Sequence, residues 1–284
     1  MTVVFRFFIH LLPGYLGAKL TLFLASFPVI KPKLKDRDQI ALASASTFTF
    51  KNNTRIGYSW GNGPLIILIH GWEGRASQFA PIAMALAEQG FQAVAYDGKG
   101  HGLSNGKGAT FLSFQQDLNA LINHFNQPVH AFVGHSAGGL SLMAAKKKHL
   151  IQAKYFITLA APLAPYPFLA SLKKVLGIKG KTEYSCQKQV AKQFNCSWQK
   201  LIDGYVFTPQ KQDSQKLLAI YDQDDEMVKF DDQYAVKALW PSAHVYTTKK
   251  LGHIKILWDK GVINEICEFV EPPKADCQYL KEAN

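Results

Sequence analysis

No apolar run in this 284-residue chain reaches the roughly 18–20 residues that a membrane-spanning helix needs. Acidic side chains are scarce: 21 Asp and Glu stand against 32 Lys and Arg, a net charge of +11. The four cysteines, Cys186, Cys196, Cys267 and Cys277, form no C-x-x-C and no other metal-ligand spacing. No metal is therefore expected, and the default is thiols in a reducing compartment. A Cys186–Cys196 bridge is compatible with the spacing but not demanded by it. There is no internal repeat and no low-complexity tract. Charged residues make up only 19% of the chain, while 48% is hydrophobic and 12% aromatic, which excludes a disordered chain and suffices for one sizeable α/β core.

The excess positive charge is dispersed. Basic runs occur at residues 31–35, 146–148, 173–174 and 249–250, none interleaved with aromatics. Solvated faces, not a nucleic-acid groove, are the expected reading. The first thirty residues, MTVVFRFFIHLLPGYLGAKLTLFLASFPVI, are unusually apolar. Pro13-Gly14 interrupts them, and Arg6, His10 and Lys19 punctuate them. They lack the basic start and clean small-x-small site of a cleaved signal. The expectation is an N-terminal helical arm over residues 1–42, packed on the core. The alternative is an interfacial helix making peripheral membrane contact. A cytoplasmic location follows, or one peripheral to the inner face of a membrane.

The rest of the chain has a rhythm. STFTFKNNTRIGYSW alternates on both sides of Asn52-Asn53 and predicts an antiparallel hairpin. Leu65–Ile69, LIILI, is a continuous apolar run, the mark of a strand covered on both faces in a parallel sheet. Further strands are expected at residues 93–96, 131–133, 155–159, 217–221 and 243–247. Helices are expected at residues 77–89, 111–125, 137–149 and 254–269. Alternation of this kind predicts an α/β fold: a doubly wound, mostly parallel sheet of about eight strands. Residues 162–213 break the rhythm, opening with APLAPYPF and continuing as Lys- and Gln-rich helical stretches. They read as an inserted helical cap, leaving residues 43–161 and 214–284 as the core.

One motif carries chemistry. Gly134-His135-Ser136-Ala137-Gly138 matches G-x-S-x-G, with a predicted strand before it and a predicted helix after it. The glycines Gly134 and Gly138 permit a sharp turn, and the turn lifts Ser136 Oγ above the carboxyl edge of the sheet. A plain small-residue turn is the competing reading. A serine hydroxyl needs a base, and the base an orienting acid. His253, in KKLGHIKIL before the last helix, has the right place and order. The acid lies among Asp222, Asp224 and Asp225, just past a strand. A developing oxyanion needs two backbone donors. The Ala137 amide supplies one, and the loop LIHGWEG supplies the other at Trp72, with His70 and Gly71 setting the turn.

Taken in order, HGW, AYDGKGHGLS, GHSAGG, YDQDDEMV and LGH resemble the α/β-hydrolase superfamily over about residues 60–270. Asp97 and the residues after it match a segment that is usually structural there, with Lys99 where arginine is usual. The superfamily's G-x-x-D-x-x-V pattern, read back from Val228, selects Asp225 as the acid, although Asp222 stands where the glycine usually is. The resemblance implies a serine hydrolase with no cofactor, acting through an acyl-enzyme on a carboxylester or thioester. The aromatics Tyr184, Trp198, Tyr205 and Phe207 either line an apolar acyl pocket or form the cap's own core, the commoner outcome at helical spacing. With the apolar N-terminus, the cap tilts the expected substrate toward lipophilic esters. An acyltransferase or peptidase on the same triad is the alternative. A silent, membrane-associated binding protein is a third.

Overall fold

A computed structural model describes residue 9 and residues 11–28, 36–210 and 214–271. Arg6, His10, Cys277, the basic run at 31–35 and the 211–213 end of the expected cap lie outside them.

Eight strands form one sheet: β1 (Ser46–Phe50), β2 (Arg55–Trp60), β3 (Leu65–Ile69), β4 (Gln92–Asp97), β5 (Val129–His135), β6 (Tyr155–Leu159), β7 (Lys216–Asp222) and β8 (His244–Thr248). Their spatial order is β1-β2-β4-β3-β5-β6-β7-β8. The pairs from β4 through to β8 are parallel. The β1–β2 hairpin joins β4 antiparallel at the edge. Its turn, Lys51-Asn52-Asn53, holds three successive residues at φ between 53° and 57°, where asparagine is tolerated better than most side chains.

Every residue of β3 and of β6 is buried. Side chains alternate across a strand, so Leu65, Ile67 and Ile69 enter one core layer, and Ile66 and Leu68 the other. Phe111, Phe114, Leu118 and Leu121 of the helix Phe111–Phe125 cover the first layer, together with Leu140 and Met143 of the helix Ala137–Lys147. Ile82 and Leu86 of the helix Ala80–Glu88, with Val262 and Ile266 of Lys260–Phe269, cover the second. Each such side chain contributes about 1.5–3 kcal/mol by leaving water.

Three local departures from the sequence reading have physical causes. The helix expected from Ser77 begins as a 3-10 turn, Ala76–Phe79, and becomes α-helical at Ala80, where Pro81 can occupy the first turn. The closing helix is two, Gly252–Lys255 and Lys260–Phe269. Asp259 caps the second by accepting from the Val262 amide at 3.0 Å, which fixes where that helix starts. A further helix, Asp232–Leu239, fills the connection between β7 and β8.

The stretch after β6 holds the helices Tyr166–Leu176, Gly180–Lys192 and Trp198–Ile202 and a 3-10 turn, Tyr205–Phe207, with no strand among its described residues. Cys186 and Cys196 within it are free thiols. The N-terminal helix Gly14–Ala25 lies chiefly on Gly180–Lys192 of this insertion, with Ala18 in the main hydrophobic core and Leu20, Leu22 and Leu24 packed against it. Among the described residues no helix is long and apolar enough to cross a membrane.

Candidate active site

The parallel strands point their carboxyl ends to one edge, where ligands bind in open α/β sheets. Ser136 sits at that edge, directly after β5 and at the cap of the helix Ala137–Lys147, with φ 51° and ψ −122°. A non-glycine residue rarely adopts this backbone, and surrounding structure must hold it there. The Ser136 amide donates to Leu159 O at 2.9 Å, continuing the β5–β6 ladder through the turn. A Cβ on Gly134 would lie 2.6 Å from Gly139 Cα, and one on Gly138 would lie 2.3 Å from the His70 carbonyl oxygen. Both positions are closed to any larger residue, which explains the two fixed glycines of G-x-S-x-G.

His253 comes to the serine from the far end of the sheet, in the short helix Gly252–Lys255 after β8. Its Nε2 lies 3.0 Å from Ser136 Oγ, and its Nδ1 lies 2.8 Å from Asp225 Oδ2. An ionised carboxylate only accepts, so Nδ1 carries the proton and Nε2 is left to accept from the serine hydroxyl. The Asp225 side chain is 2% exposed and that of His253 is 11% exposed, so little water competes for these bonds. Asp225 Oδ1 accepts from the amides of Met227 and Val228 at 2.8 and 2.9 Å. Burial alone would push the Asp225 carboxyl up, but the His253 bond and these amides outweigh it and hold the acid below its usual range.

The neighbouring acids face elsewhere. Asp222 accepts from Thr248 Oγ1 and from the Asp224, Leu251 and Gly252 amides at 2.7–3.1 Å, tying β7 to the loop that carries His253. Asp224 accepts from the Lys250 amide at 2.7 Å. Of the three acids, Asp225 is the one that meets the imidazole.

The loop after β3 packs against the turn. A Cβ on Gly71 would lie 3.0 Å from Ser136 Cβ, so the His70-Gly71-Trp72 backbone runs beside the serine. His70 pins this loop: its Nδ1–H donates to Gly71 O at 2.7 Å, and its Nε2 accepts from the Gly98 amide at 2.9 Å. Complete burial pushes the ring down to about 4, so it is neutral. Ala137 is the first residue of its helix, where an amide has no intrahelical acceptor. The Trp72 ring packs against Phe168 of the insertion and His101 of the loop after β4, at centroid distances of 5.9 and 5.5 Å. Asp97 lies away from the serine. It accepts from the Ala76 and Leu103 amides at 2.8 Å each, a structural brace.

His135 carries a role that the motif does not assign. Its Nε2–H donates to the backbone carbonyl of His253 at 2.8 Å. The signal was its place inside G-x-S-x-G, which puts it one residue from the serine. Beside Trp72 lies a narrow crevice of about 30 Å³, with Leu22, Phe111 and Phe168 among its walls. Of the aromatics offered either as an acyl pocket or as the cap's own core, Phe207 is buried, Trp198 and Tyr205 are half-buried against the core, and Tyr184 is exposed. Among the described residues no group of three or more His, Cys, Asp or Glu is placed to hold a metal ion.

A serine on a strained strand-to-helix turn, at the carboxyl edge of an eight-stranded, mostly parallel sheet, defines an α/β-hydrolase. The model of the family described as serine aminopeptidase, S33, matches residues 63–227, and the chain belongs to that family. Over 104 residues it is 31% identical to the non-heme chloroperoxidase CPO-A1 of Kitasatospora aureofaciens, covering 36% of this chain and 38% of that protein. Over 96 residues it is 30% identical to the bifunctional esterase/perhydrolase DCH of Acinetobacter calcoaceticus, covering 32% of this chain and 35% of that protein. The chain thus spans little more than a third of the length of these curated relatives. Among solved structures, the Pyrococcus furiosus esterase Pf2001 superposes with a TM-score of 0.60 at 17% identity, over 86% of this chain and 98% of that one. Est1E from Butyrivibrio proteoclasticus, solved with ferulic acid bound, gives 0.56 at 22% identity, over 80% and 91%. At these identities the structural likeness shows the fold alone.

Proposed function

We propose that the protein hydrolyses esters of lipophilic acyl groups through a covalent acyl-serine. The observation that carries this reading is the continuous relay Ser136–His253–Asp225, at 3.0 and 2.8 Å, on a strained turn. Ser136 Oγ attacks the ester carbonyl carbon while its proton passes to His253 Nε2. The negative charge that develops on the carbonyl oxygen is met by the Trp72 and Ala137 amides. As the tetrahedral adduct collapses, the proton on His253 goes to the departing alkoxide or thiolate, and the acyl group stays on Ser136. Water then attacks, His253 takes its proton, and the acid leaves as Ser136 recovers its hydrogen. Asp225 keeps the imidazole in the required tautomer and stabilises its cation throughout. No cofactor takes part in this scheme.

The helical insertion at residues 162–213 acts as the cap in this reading, since its Phe168 reaches the Trp72 ring. In this reading the acyl chain enters between Trp72, Phe111, Phe168 and Leu22, and the crevice there widens to admit it. A second reading, removal of an N-terminal amino acid from a peptide, is favoured by the description of the matched family. The two separate in one assay: p-nitrophenyl esters of graded chain length against aminoacyl p-nitroanilides. Turnover of the esters, with Ser136→Ala abolishing both turnover and fluorophosphonate labelling, is the expected result. A wild-type protein that never labels would overturn the serine assignment, and turnover of the anilides alone would overturn the ester reading.

A further inference from the structure

The N-terminal helix Gly14–Ala25 leaves part of its apolar surface uncovered. Its small residues face the protein: Gly17, Ala18 and Thr21 are buried. A Cβ on Gly14 would lie 2.7 Å from Lys181 Cβ, and one on Gly17 would lie 3.1 Å from Thr182 Oγ1, so the helix lies backbone-close on Gly180–Lys192. Its bulky residues divide: Leu20, Leu22 and Leu24 pack against the core, whereas Tyr15 is 56% exposed, Leu16 47% and Phe23 60%, with Leu11 just before the helix at 65%. A surface helix in water puts polar residues on that side. Lys19 is the one charged residue of this helix.

The neighbouring surface is strongly basic. Residues 166–202 hold seven lysines against one glutamate, and that glutamate, Glu183, is already paired with Lys173 at 3.0 Å. On the helix in contact with the N-terminal one, Lys181, Tyr184, Lys188 and Lys192 form an exposed row. Two lysines lie over tyrosine rings: Lys19 Nζ is 4.7 Å from the Tyr15 centroid, and Lys188 Nζ is 5.5 Å from that of Tyr184. Rings with an apolar body and a polar tip, beside ammonium groups on apolar stems, match the boundary between headgroups and acyl chains.

We infer that this face, Tyr15, Leu16 and Phe23 flanked by Lys19, Lys181 and Lys188, docks on an anionic lipid bilayer. The apolar residues enter the acyl boundary and the lysines meet the headgroup phosphates. Charge selects the bilayer over a second copy of the chain, because two copies would bring like positive faces together. The 12-residue helix lies in the plane of the interface and does not cross it. It also lends Leu22 to the cleft beside Trp72, which sets that cleft next to the docked face. Docking itself stands independently of the proposed esterase activity.

The test is co-sedimentation of the 284-residue chain with vesicles of phosphatidylcholine alone and of an equimolar mixture with phosphatidylglycerol. Binding to the mixed vesicles only, weakened by added salt, is expected. The triple variant Tyr15→Ser, Leu16→Ser, Phe23→Ser is expected to lose binding at least about tenfold, since apolar burial drives insertion. Lys181→Gln and Lys188→Gln are each expected to cost about fivefold, and to flatten the salt dependence. Thermal melts by circular dichroism show that each variant folds, with no reliance on catalysis. Absence of binding to either vesicle overturns the inference. So does equal binding to both, or binding untouched in folded variants. Light scattering that finds a dimer dispersed by Phe23→Ser would assign the face to a second copy instead.

Discussion

The Nε2–H of His135 donates to the backbone carbonyl of His253 at 2.8 Å, and the two rings lie 4.8 Å apart. The residue beside the candidate nucleophile therefore fixes the main chain of the candidate base, 118 positions away. A shift of the base by an ångström can cost about a hundredfold in rate. His135→Phe keeps a ring of similar bulk but removes the donor. It is expected to lower kcat roughly 10- to 100-fold with little change in KM. Fluorophosphonate labelling is expected to persist but slow. His135→Gln, which restores a donor, is expected to recover part of the rate. Unchanged kcat in a folded His135→Phe would show that the carbonyl contact positions nothing.

The same histidine sets an acid limit on stability. Burial, followed by the nearby His253, pushes His135 down to about 3, and burial pushes His70 down to about 4. Both stay neutral in the folded protein while the unfolded chain binds protons from about pH 6.5 downward. Stability is therefore full above about pH 6.5 and falls as the pH drops toward the folded values. At pH 5 each histidine is expected to withdraw about 2 kcal/mol. Asp97 and Asp232, raised by burial, act in the opposite sense, so the clean measurement is a difference. Denaturant melts at pH 8 and pH 5 are expected to diverge less in His135→Gln than in the wild type, by about 2 kcal/mol. An equal pH dependence in both proteins would show that His135 is not the source.

Much of this was legible because the sheet writes itself plainly. Leu65–Ile69 is apolar at every position since both of its faces are covered, and all five residues are buried. The order serine, acid, histidine follows from which strands end at the shared edge. Asp225 was harder to distinguish from Asp222 and Asp224 because all three follow one strand within four residues. What separates them is a turn, in which the Met227 and Val228 amides aim the Asp225 carboxylate. The helix Asp232–Leu239 escaped notice because its start lies in an acidic loop without a distinct cap. The part His135 plays is not legible in the sequence, because a contact between a ring and a backbone carbonyl 118 residues away leaves no local pattern. The N-terminal helix read as an arm on the core because it is apolar throughout. Only its packing shows that Gly14 and Gly17 lie against Gly180–Lys192 while Tyr15, Leu16 and Phe23 stay exposed.

Asp222 and Asp225 are three residues apart, and their substitutions are expected to fail in different ways. Asp225→Asn leaves the fold intact but lets the amide present the wrong hydrogen to Nδ1. Ester turnover is expected to fall about 10⁴-fold, by analogy with amide-for-acid exchange in other serine triads. Asp222→Asn places an NH₂ group among four donors, from Thr248 Oγ1 and the Asp224, Leu251 and Gly252 amides. Leaving buried donors without an acceptor costs about 1–3 kcal/mol. Its main effect is expected to be a lower Tm, with residual activity well above that of Asp225→Asn. If Asp222→Asn were the less active of the two at a temperature where both are folded, the acid would have to be reassigned.

Phe168 joins the insertion to the catalytic edge. Its ring meets Trp72 at 5.9 Å and Phe111 at 5.8 Å, and all three line the same cleft. An acyl chain lying there would gain about 0.8 kcal/mol for each methylene taken from water. Phe168→Ala removes one wall without touching Ser136, His253 or Asp225. For a long-chain p-nitrophenyl ester, kcat/KM is expected to fall about tenfold, the equivalent of about 1.4 kcal/mol, or roughly two buried methylenes. For the acetate, which is too short to reach the wall, it is expected to change less than about twofold. The chain-length profile therefore flattens while the basal chemistry survives. A uniform loss across all chain lengths would instead mean that Phe168 acts by holding the Trp72 loop, and the acyl site would lie elsewhere along the edge.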